Sequence, residues 1–182
     1  MDKDLKPLVD FLVALETEKI SHTRSTYLAH VLAVYHDMRR RGCSEDASRA
    51  GMFHSIYGTE RFQGFKLPLE RRCEIQNLIG ERAECLAYLN CAMDRASFDR
   101  AVEHTSGPFR FTDRLTGQTV ELNEGDFLDL CRVHLYDFLE QVARAEYWSY
   151  RREAYRKIAE RLGGAAIKAF DEVYAGQPAT VA

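Results

Sequence analysis

The widest apolar stripe in the chain lies between residues 123 and 145, and it constrains the fold more than any other feature. Its members recur three or four positions apart: Leu128, Cys131, Leu135, Phe138 and Val142, flanked by Phe127, Leu130 and His134. This period is typical of an amphipathic helix, and so wide a stripe indicates a helix that neighbours cover on several sides. We therefore predict a central helix that Asn123 caps and that ends near Ala145.

Most of the remaining chain shows the same helical period. The predicted helices cover about residues 4–19, 23–41, 44–57, 68–79, 81–104, 146–162 and 165–174. Either Ser21 or Thr23 is expected to cap the second helix, and Gly58 to end the third. In the third helix, small residues around Gly51 would let another helix approach closely.

One segment departs from the helical period. Apolar residues alternate with polar ones from Phe109 to Leu122, around a turn that contains Gly117, which predicts a β-hairpin. With no repeat or linker, the sequence predicts a single all-α domain of about seven helices with one hairpin insertion. Its core would span about residues 20–145, with the helices of residues 146–175 packed on it.

Composition excludes several classes of protein. The chain has 182 residues, a net charge of −3 and five cysteines without a Cys-x-x-Cys pair. This charge argues against a nucleic-acid binder, and the cysteine pattern against a disulfide framework or a structural zinc site. No apolar run approaches the ~18 residues that a membrane span needs. We expect a reduced, cytoplasmic protein with a small-molecule substrate and no nucleic-acid or membrane partner. The sequence leaves open whether it forms a homodimer.

Histidines carry most of the chemical information. His30 shares the inward stripe of the second helix, and His54 faces inward from the small-residue face of the third. Neutral imidazoles on packed helices are good ligands for Zn, Fe and Mn, although a buried histidine is often only a hydrogen-bonded core residue. His134, on the wide face of the central helix, is a third inward histidine.

The order of these residues resembles the HD-domain proteins, which are helical metal-dependent phosphohydrolases with some oxygenase relatives. The resemblance rests on His30, on the run Ala50-Gly-Met-Phe-His54-Ser55 and on the stretch that continues to Glu60, and it covers about residues 20–145. It implies an HD-like helical bundle in which a first His, a His-Asp pair and a late Asp hold the metal.

The resemblance also implies the identity of the third ligand. Asp137 is the best match for the late Asp, with His134, Asp129 and Asp94 as competitors. The expected cofactor is therefore one divalent transition metal (Fe, Mn or Zn) held by His30, His54 and Asp137.

The sequence departs from the family pattern at the second half of the His-Asp pair, which is Ser55 here. A hydroxyl is a poor substitute for a bridging carboxylate, so a two-metal centre is not expected. The acidic pair that follows in nucleotide-hydrolysing relatives is replaced by Gly58-Thr59, with Glu60 just beyond.

Further pocket residues follow from proximity to His54. Tyr57 is expected to relay a proton and Glu60 to act as general acid or base, beside His54 itself as a catalytic group. Ser55, Thr59 and His134 are expected to contact a ligand. His22 and Arg24, at the start of the second helix, would hold an anion together with its N–H groups.

An aromatic cluster near the C-terminus has two readings. Tyr147, Trp148, Tyr150 and Tyr155 are expected to pack the last helices or to form a dimer contact rather than a ligand cage.

Three functions remain open at this point. The first is an HD-derived hydrolytic or oxidative enzyme that uses one metal on a small anionic metabolite. The second is a metal-free acid–base enzyme, such as a lyase, isomerase or cyclase. The third is a ligand-binding protein without catalysis.

Overall fold

A computed structural model describes residues 5–15, 21–22 and 25–179, with the backbone alone at residues 21, 22 and 25. These residues form nine α-helices and two small antiparallel sheets. The helices are α1 (Lys6–Ala14), α2 (Tyr27–Arg40), α3 (Glu45–Met52), α4 (Arg72–Ile79), α5 (Glu81–Ala92), α6 (Arg95–Val102), α7 (Glu124–Ala145), α8 (Arg152–Leu162) and α9 (Gly164–Ala175). The strands are β1 (Ser21–His22), β2 (Ser25–Thr26), β3 (Phe109–Thr112) and β4 (Thr119–Leu122). The prediction of a mostly helical chain with a hairpin at residues 109–122 is confirmed. The described residues hold nine helices rather than about seven, and the β1–β2 pair was not predicted.

The central helix is α7, as predicted. It begins after Asn123, whose side chain accepts a hydrogen bond from the backbone N–H of Asp126, and it packs against α2, α3, α5, α8 and α9. The predicted stripe residues Cys131, Leu135 and Val142 are fully buried. Side chains on several faces of α7 thus lie inside the protein, including the polar His134 and Asp137.

Helices α2 and α3 approach closely because Gly51 lies between them. A Cβ atom at Gly51 would collide with the sulfur of Met38 and would crowd Val34. Both contacts come from the buried stripe of α2, which also carries His30. The absence of a side chain at Gly51 therefore brings the backbone of α3 against the helix that holds His30.

The hairpin forms as the alternation predicts. Phe109 pairs with Leu122 and Thr112 with Thr119, and Gly117 in the connecting turn has a φ of +73°. Phe109 is buried and stacks on Phe127 of α7 with ring centroids 4.3 Å apart. One face of the hairpin thus extends the core.

Several predicted helix bounds are wrong, beginning with the first helix, which ends at Ala14 rather than near residue 19. The helix predicted over 81–104 is two helices, because the backbone N–H of Asp94 donates to the carbonyl of Thr112 and the Asp94 side chain caps α6. The helix predicted to begin at residue 146 begins at Arg152, after left-handed Glu146 and Arg151. The third helix ends at Met52, and turns continue to Tyr57.

The cap of α2 also differs from the prediction. Thr26 caps this helix by accepting a hydrogen bond from the N–H of Ala29 at 3.2 Å. Ser21 belongs to β1, and Thr23 lies outside the described residues. Among the residues that the structure describes, no helix is long and apolar enough to cross a membrane.

Candidate metal centre

Three buried side chains from different parts of the fold meet at one point. His30 comes from α2, His54 from the turn after α3 and Asp137 from α7. Both imidazole Nε2 atoms lie 3.1 Å from Asp137 Oδ1, and they lie 3.4 Å from each other. We call these three residues the triad. They are the three residues that the sequence offered as metal ligands.

The other nitrogen of each imidazole, Nδ1, forms a hydrogen bond to a group outside the triad. His30 Nδ1 donates to a carboxylate oxygen of Glu140, which Arg144 also contacts. His54 Nδ1 donates to the carbonyl of Gly51 at 2.7 Å. This carbonyl belongs to the last turn of α3. Carbonyl groups there have no backbone N–H partner within the helix, so they can accept a hydrogen bond from a side chain.

The backbone of His54 is fixed as well. Its carbonyl accepts hydrogen bonds from the side chains of Asn90 at 2.8 Å and Cys91 at 3.2 Å, both on α5. The ring orientation of His54 is therefore set by α3 and its backbone position by α5.

These contacts determine which atoms face the centre of the triad. A carbonyl or carboxylate can only accept, so both Nδ1 atoms carry hydrogens and both Nε2 atoms of the neutral rings present lone pairs. Asp137 adds a third acceptor. Three acceptors this close repel one another unless protons or a cation lie between them.

Two triad residues, His30 and Asp137, have pKa values shifted in opposite directions. Burial by itself lowers the pKa of His30, but its hydrogen bonds to Asp137 and Glu140 outweigh burial and raise the pKa to about 9. Burial likewise raises the pKa of Asp137, but the charges and hydrogen bonds of His54 and His30 hold it well below its usual range. In the protein without a metal, a proton on His30 offsets part of the negative charge of the cluster.

The triad has the dimensions of a metal-ligand set. Ligand atoms about 2.0–2.1 Å from an ion lie roughly 3.3–3.4 Å apart in a tetrahedral site and roughly 3.0 Å apart in an octahedral one. The distances of 3.1–3.4 Å match either geometry. Ligating histidines also commonly donate their second ring N–H to a carboxylate or carbonyl, as both do here. This buried group could therefore hold one metal ion.

Ser55 does not extend the triad. It is buried, and its hydroxyl donates to the Tyr27 hydroxyl at 3.2 Å. The position at which the HD pattern has a carboxylate thus contributes a neutral hydroxyl that is already hydrogen-bonded.

Tyr57 lies at a different polar cluster. Its hydroxyl donates to Glu84 Oε1 at 2.8 Å, and Arg72 makes two hydrogen bonds to the same carboxylate. Glu84 is fully buried and also accepts from Gln76. The structure does not bring Tyr57 together with the imidazoles, so the expected proton relay has no contact to act through.

Glu60 and Thr59 are also bound elsewhere. Glu60 is exposed and accepts a hydrogen bond from the backbone N–H of Arg95 at 3.1 Å. The Thr59 hydroxyl accepts from the backbone N–H of Phe62 at 2.9 Å and so closes the turn that it begins. Neither residue contacts the triad, which removes the geometry expected of Glu60 as an acid or base and of Thr59 as a ligand contact.

His134 is buried but separate from the triad. Its ring packs against Phe98 and Tyr155, and Nε2 accepts a hydrogen bond from Arg151 at 3.1 Å. Burial and the nearby Arg151 charge lower its pKa well below 6.5, so the ring is neutral. Its ring packs on the Tyr155 ring with centroids 5.1 Å apart.

The other candidates for third ligand are engaged by different partners. Asp129 forms ion pairs with Arg82 and Arg132, and Asp94 caps α6. The predicted anion contacts at the start of α2 cannot be placed, because Arg24 and the side chain of His22 lie outside the described residues.

A small cavity of about 40 Å³ lies beside Asp137. Residues lining it are Arg61, Arg95, Asp137, Phe138, Gln141, Tyr147, Tyr150 and Tyr155. The sequence-based interpretation missed both arginines, and it assigned the tyrosines to packing. Packing accounts for Tyr155, which stacks on Phe138 at 3.6 Å, but Tyr147 and Tyr150 also form a wall of the cavity.

Two further residues were missed although a sequence signal exists for both. Glu140 and Gln141 follow Asp137 by three and four positions, so they share its face of α7. Glu140 holds His30, and Gln141 donates to Asp137 Oδ1 at 2.6 Å.

The chain is similar to one known family. A family described as a domain of unknown function (DUF6817) matches residues 11–95. The matched region includes His30 and His54 and ends before Asp137. No curated protein and no solved structure matches the chain.

Proposed function

We propose that this protein is an HD-like enzyme that uses one divalent transition metal (Fe, Mn or Zn) on a small anionic metabolite. The observation that carries the proposal is the triad, in which two imidazole nitrogens and one carboxylate oxygen converge within 3.1–3.4 Å and both rings are anchored from behind. The order of the ligands along the helices supports the HD-like assignment.

The residues around the triad support one metal rather than two. Ser55 offers no carboxylate to bridge a second ion. A set of two histidines and one carboxylate leaves coordination positions open, and such a site serves oxidation with Fe(II) or hydrolysis with Zn or Mn. The chain itself supplies ligand orientation through Glu140 and Gly51, and a cavity with positively charged groups beside Asp137.

The metal-free acid–base alternative is less well supported. It needs Tyr57 and Glu60 beside the histidines, whereas Tyr57 contacts Glu84 and Glu60 contacts Arg95. No other observation favours that alternative.

Activity can be tested separately for the two reaction types. Protein stripped with a chelator is reloaded with Fe(II), Mn(II) or Zn(II), and phosphate release from small phosphate esters is measured alongside oxygen uptake with small carboxylates. We expect one of the loaded forms to turn over, and His54→Ala to lose that activity while the exposed His36→Ala keeps it. A protein that binds metal at the triad and turns over no compound with any metal would favour the non-catalytic alternative.

A further inference from the structure

The cavity beside Asp137 has two guanidinium groups on its wall. Arg61 comes from the loop that follows Thr59, and Arg95 is the first residue of α6. These two elements face the turn before α8, which contributes Tyr147 and Tyr150. The cavity thus lies where three separate segments meet next to one residue of the triad.

The positive charge of these arginines is only weakly balanced. Among the residues that the structure describes, no carboxylate forms an ion pair with Arg61, which lies over the rings of Tyr147 and Tyr150 at 4.4 and 4.3 Å. Arg95 donates to the Tyr150 hydroxyl at 2.6 Å, and in the described part of the chain the carboxylate that forms an ion pair with it, Glu60, is 4.0 Å away. The carboxylate of Asp137 lines the same cavity.

Some other arginines of this protein pair directly with a carboxylate. Arg72 makes two hydrogen bonds to Glu84, and Arg110 lies 2.7 Å from Glu121. The side chain of Arg95 is only 14% exposed, so solvent screens its charge less than that of Arg110 at 60%. A partly buried guanidinium of this kind favours an anion with two oxygens in one plane.

We propose that this cavity is the subsite for an oxyanion group of the substrate, a carboxylate or a phosphate, which Arg61 and Arg95 bind. This assignment rests on the proposed function, since it places the anionic group beside the metal ligand Asp137. The cavity of about 40 Å³ has room for a group of a few atoms. Arg61 is exposed, so a ligand can reach the cavity from solvent along its side chain.

The test measures anion binding and metal content on the same samples. Inorganic phosphate and acetate are titrated separately at constant ionic strength, with the fluorescence of Trp148 as the signal. This is the single tryptophan of the chain, and it adjoins Tyr147. We expect saturable binding of at least one of the two anions, and whichever binds more tightly identifies the group as carboxylate or phosphate.

Substitution of the arginines decides the assignment. Arg61→Gln and Arg95→Gln should each raise the dissociation constant at least tenfold, whereas Arg110→Gln in the hairpin should leave it unchanged. Arg95→Lys keeps the charge but loses the planar fork, so an intermediate loss is expected. The circular dichroism of each variant checks that it folds. Tyr150→Phe, which keeps both charges, should weaken binding less than either glutamine substitution.

His54→Ala separates the subsite from the metal. This variant should lose metal yet keep arginine-dependent anion binding, because His54 does not line the cavity. Binding that disappears in His54→Ala and persists in both glutamine variants would overturn the subsite and leave the metal proposal standing. If the wild-type protein holds no metal but binds the anion through the two arginines, the metal proposal is overturned and the subsite proposal stands.

Discussion

Two buried polar clusters in this protein each contain one carboxylate, and they are completed in opposite ways. Glu84 is surrounded by donors, with the Tyr57 hydroxyl, the Arg72 guanidinium and the Gln76 amide all directed at it. Asp137 faces two imidazole nitrogens whose rings already donate elsewhere. The first cluster is complete within the chain, whereas the second needs a cation or extra protons.

This difference separates a structural cluster from a site. Buried polar groups that satisfy one another hold the fold together and leave no atom for a ligand. At the triad, three acceptors converge with a single side-chain donor, the Gln141 amide on Asp137, which leaves a place for a ligand of positive charge. The sequence placed Tyr57 in the site and did not consider Glu84, so the two clusters could be told apart only after the donors had been placed.

The largest expected effect concerns the structural cluster. Glu84→Ala leaves the Tyr57 hydroxyl and the Arg72 charge without their partner, and removal of one member of such a pair costs about 3–5 kcal/mol. Because Arg72 is 30% exposed, we expect a loss of unfolding free energy near the lower end in urea denaturation. Metal content per folded chain should stay unchanged. If Glu84→Ala does not fold, Glu84→Gln serves instead, and a loss of metal in that variant would contradict the separation of the two clusters.

A second effect appears in the pH dependence of the metal-free protein. Burial lowers the pKa of His30, but hydrogen bonds to Asp137 and Glu140 outweigh burial and raise it to about 9 in the folded state. An imidazole in an unfolded chain has a pKa of about 6.5, so folding favours the protonated ring. Its stabilising contribution is complete below pH 6.5 and is lost as the pH rises through 9. The shift corresponds to roughly 3 kcal/mol.

Chelator-treated protein should therefore lose stability in urea denaturation between pH 6 and pH 9. His30→Gln should flatten this part of the profile, with His36→Ala as the control. An equal decline in His30→Gln would mean that His30 is not the group that titrates.

Tyr57→Phe should have a smaller effect. Glu84 loses one of its donors but keeps Arg72 and Gln76, so the expected loss is about 1.5 kcal/mol, the lower end for a hydrogen bond to a charged group. Metal content and any turnover should equal those of the wild type. If the variant folds and binds metal but has lost turnover, Tyr57 takes part in the reaction.

Glu60→Gln should change least. Glu60 is exposed and contacts the first backbone N–H of α6, an interaction that an amide oxygen can replace. We expect a change within about 0.5 kcal/mol, as for most surface substitutions. A tenfold or greater loss of turnover at wild-type stability would show that Glu60 acts in the reaction.

Much of the fold was readable from local pattern, whereas the breaks depended on distant contacts. The stripe of α7 and the alternation of β3 and β4 are properties of neighbouring residues. The break at Asp94 was not readable, because it depends on a hydrogen bond to Thr112 in the hairpin. Short-range periodicity carries no signal for such a contact.

The candidate site divides in the same way. His30, His54 and Asp137 were identified because their order resembles a known pattern. Arg61 and Arg95 were not, because they belong to elements far apart in the sequence whose approach depends on the whole fold. Glu140 could have been predicted from the sequence, because its spacing from Asp137 places both residues on one helix face.

Metal content tests the central claim most directly. Elemental analysis of protein purified without chelator should give one transition-metal ion per chain. Asp137→Asn and His54→Ala should reduce that content to background, while Glu84→Gln, which alters the carboxylate of the structural cluster, should retain it. A folded wild-type protein that holds no metal even after incubation with Fe(II), Mn(II) and Zn(II), or one whose metal content survives both triad substitutions, would contradict the account.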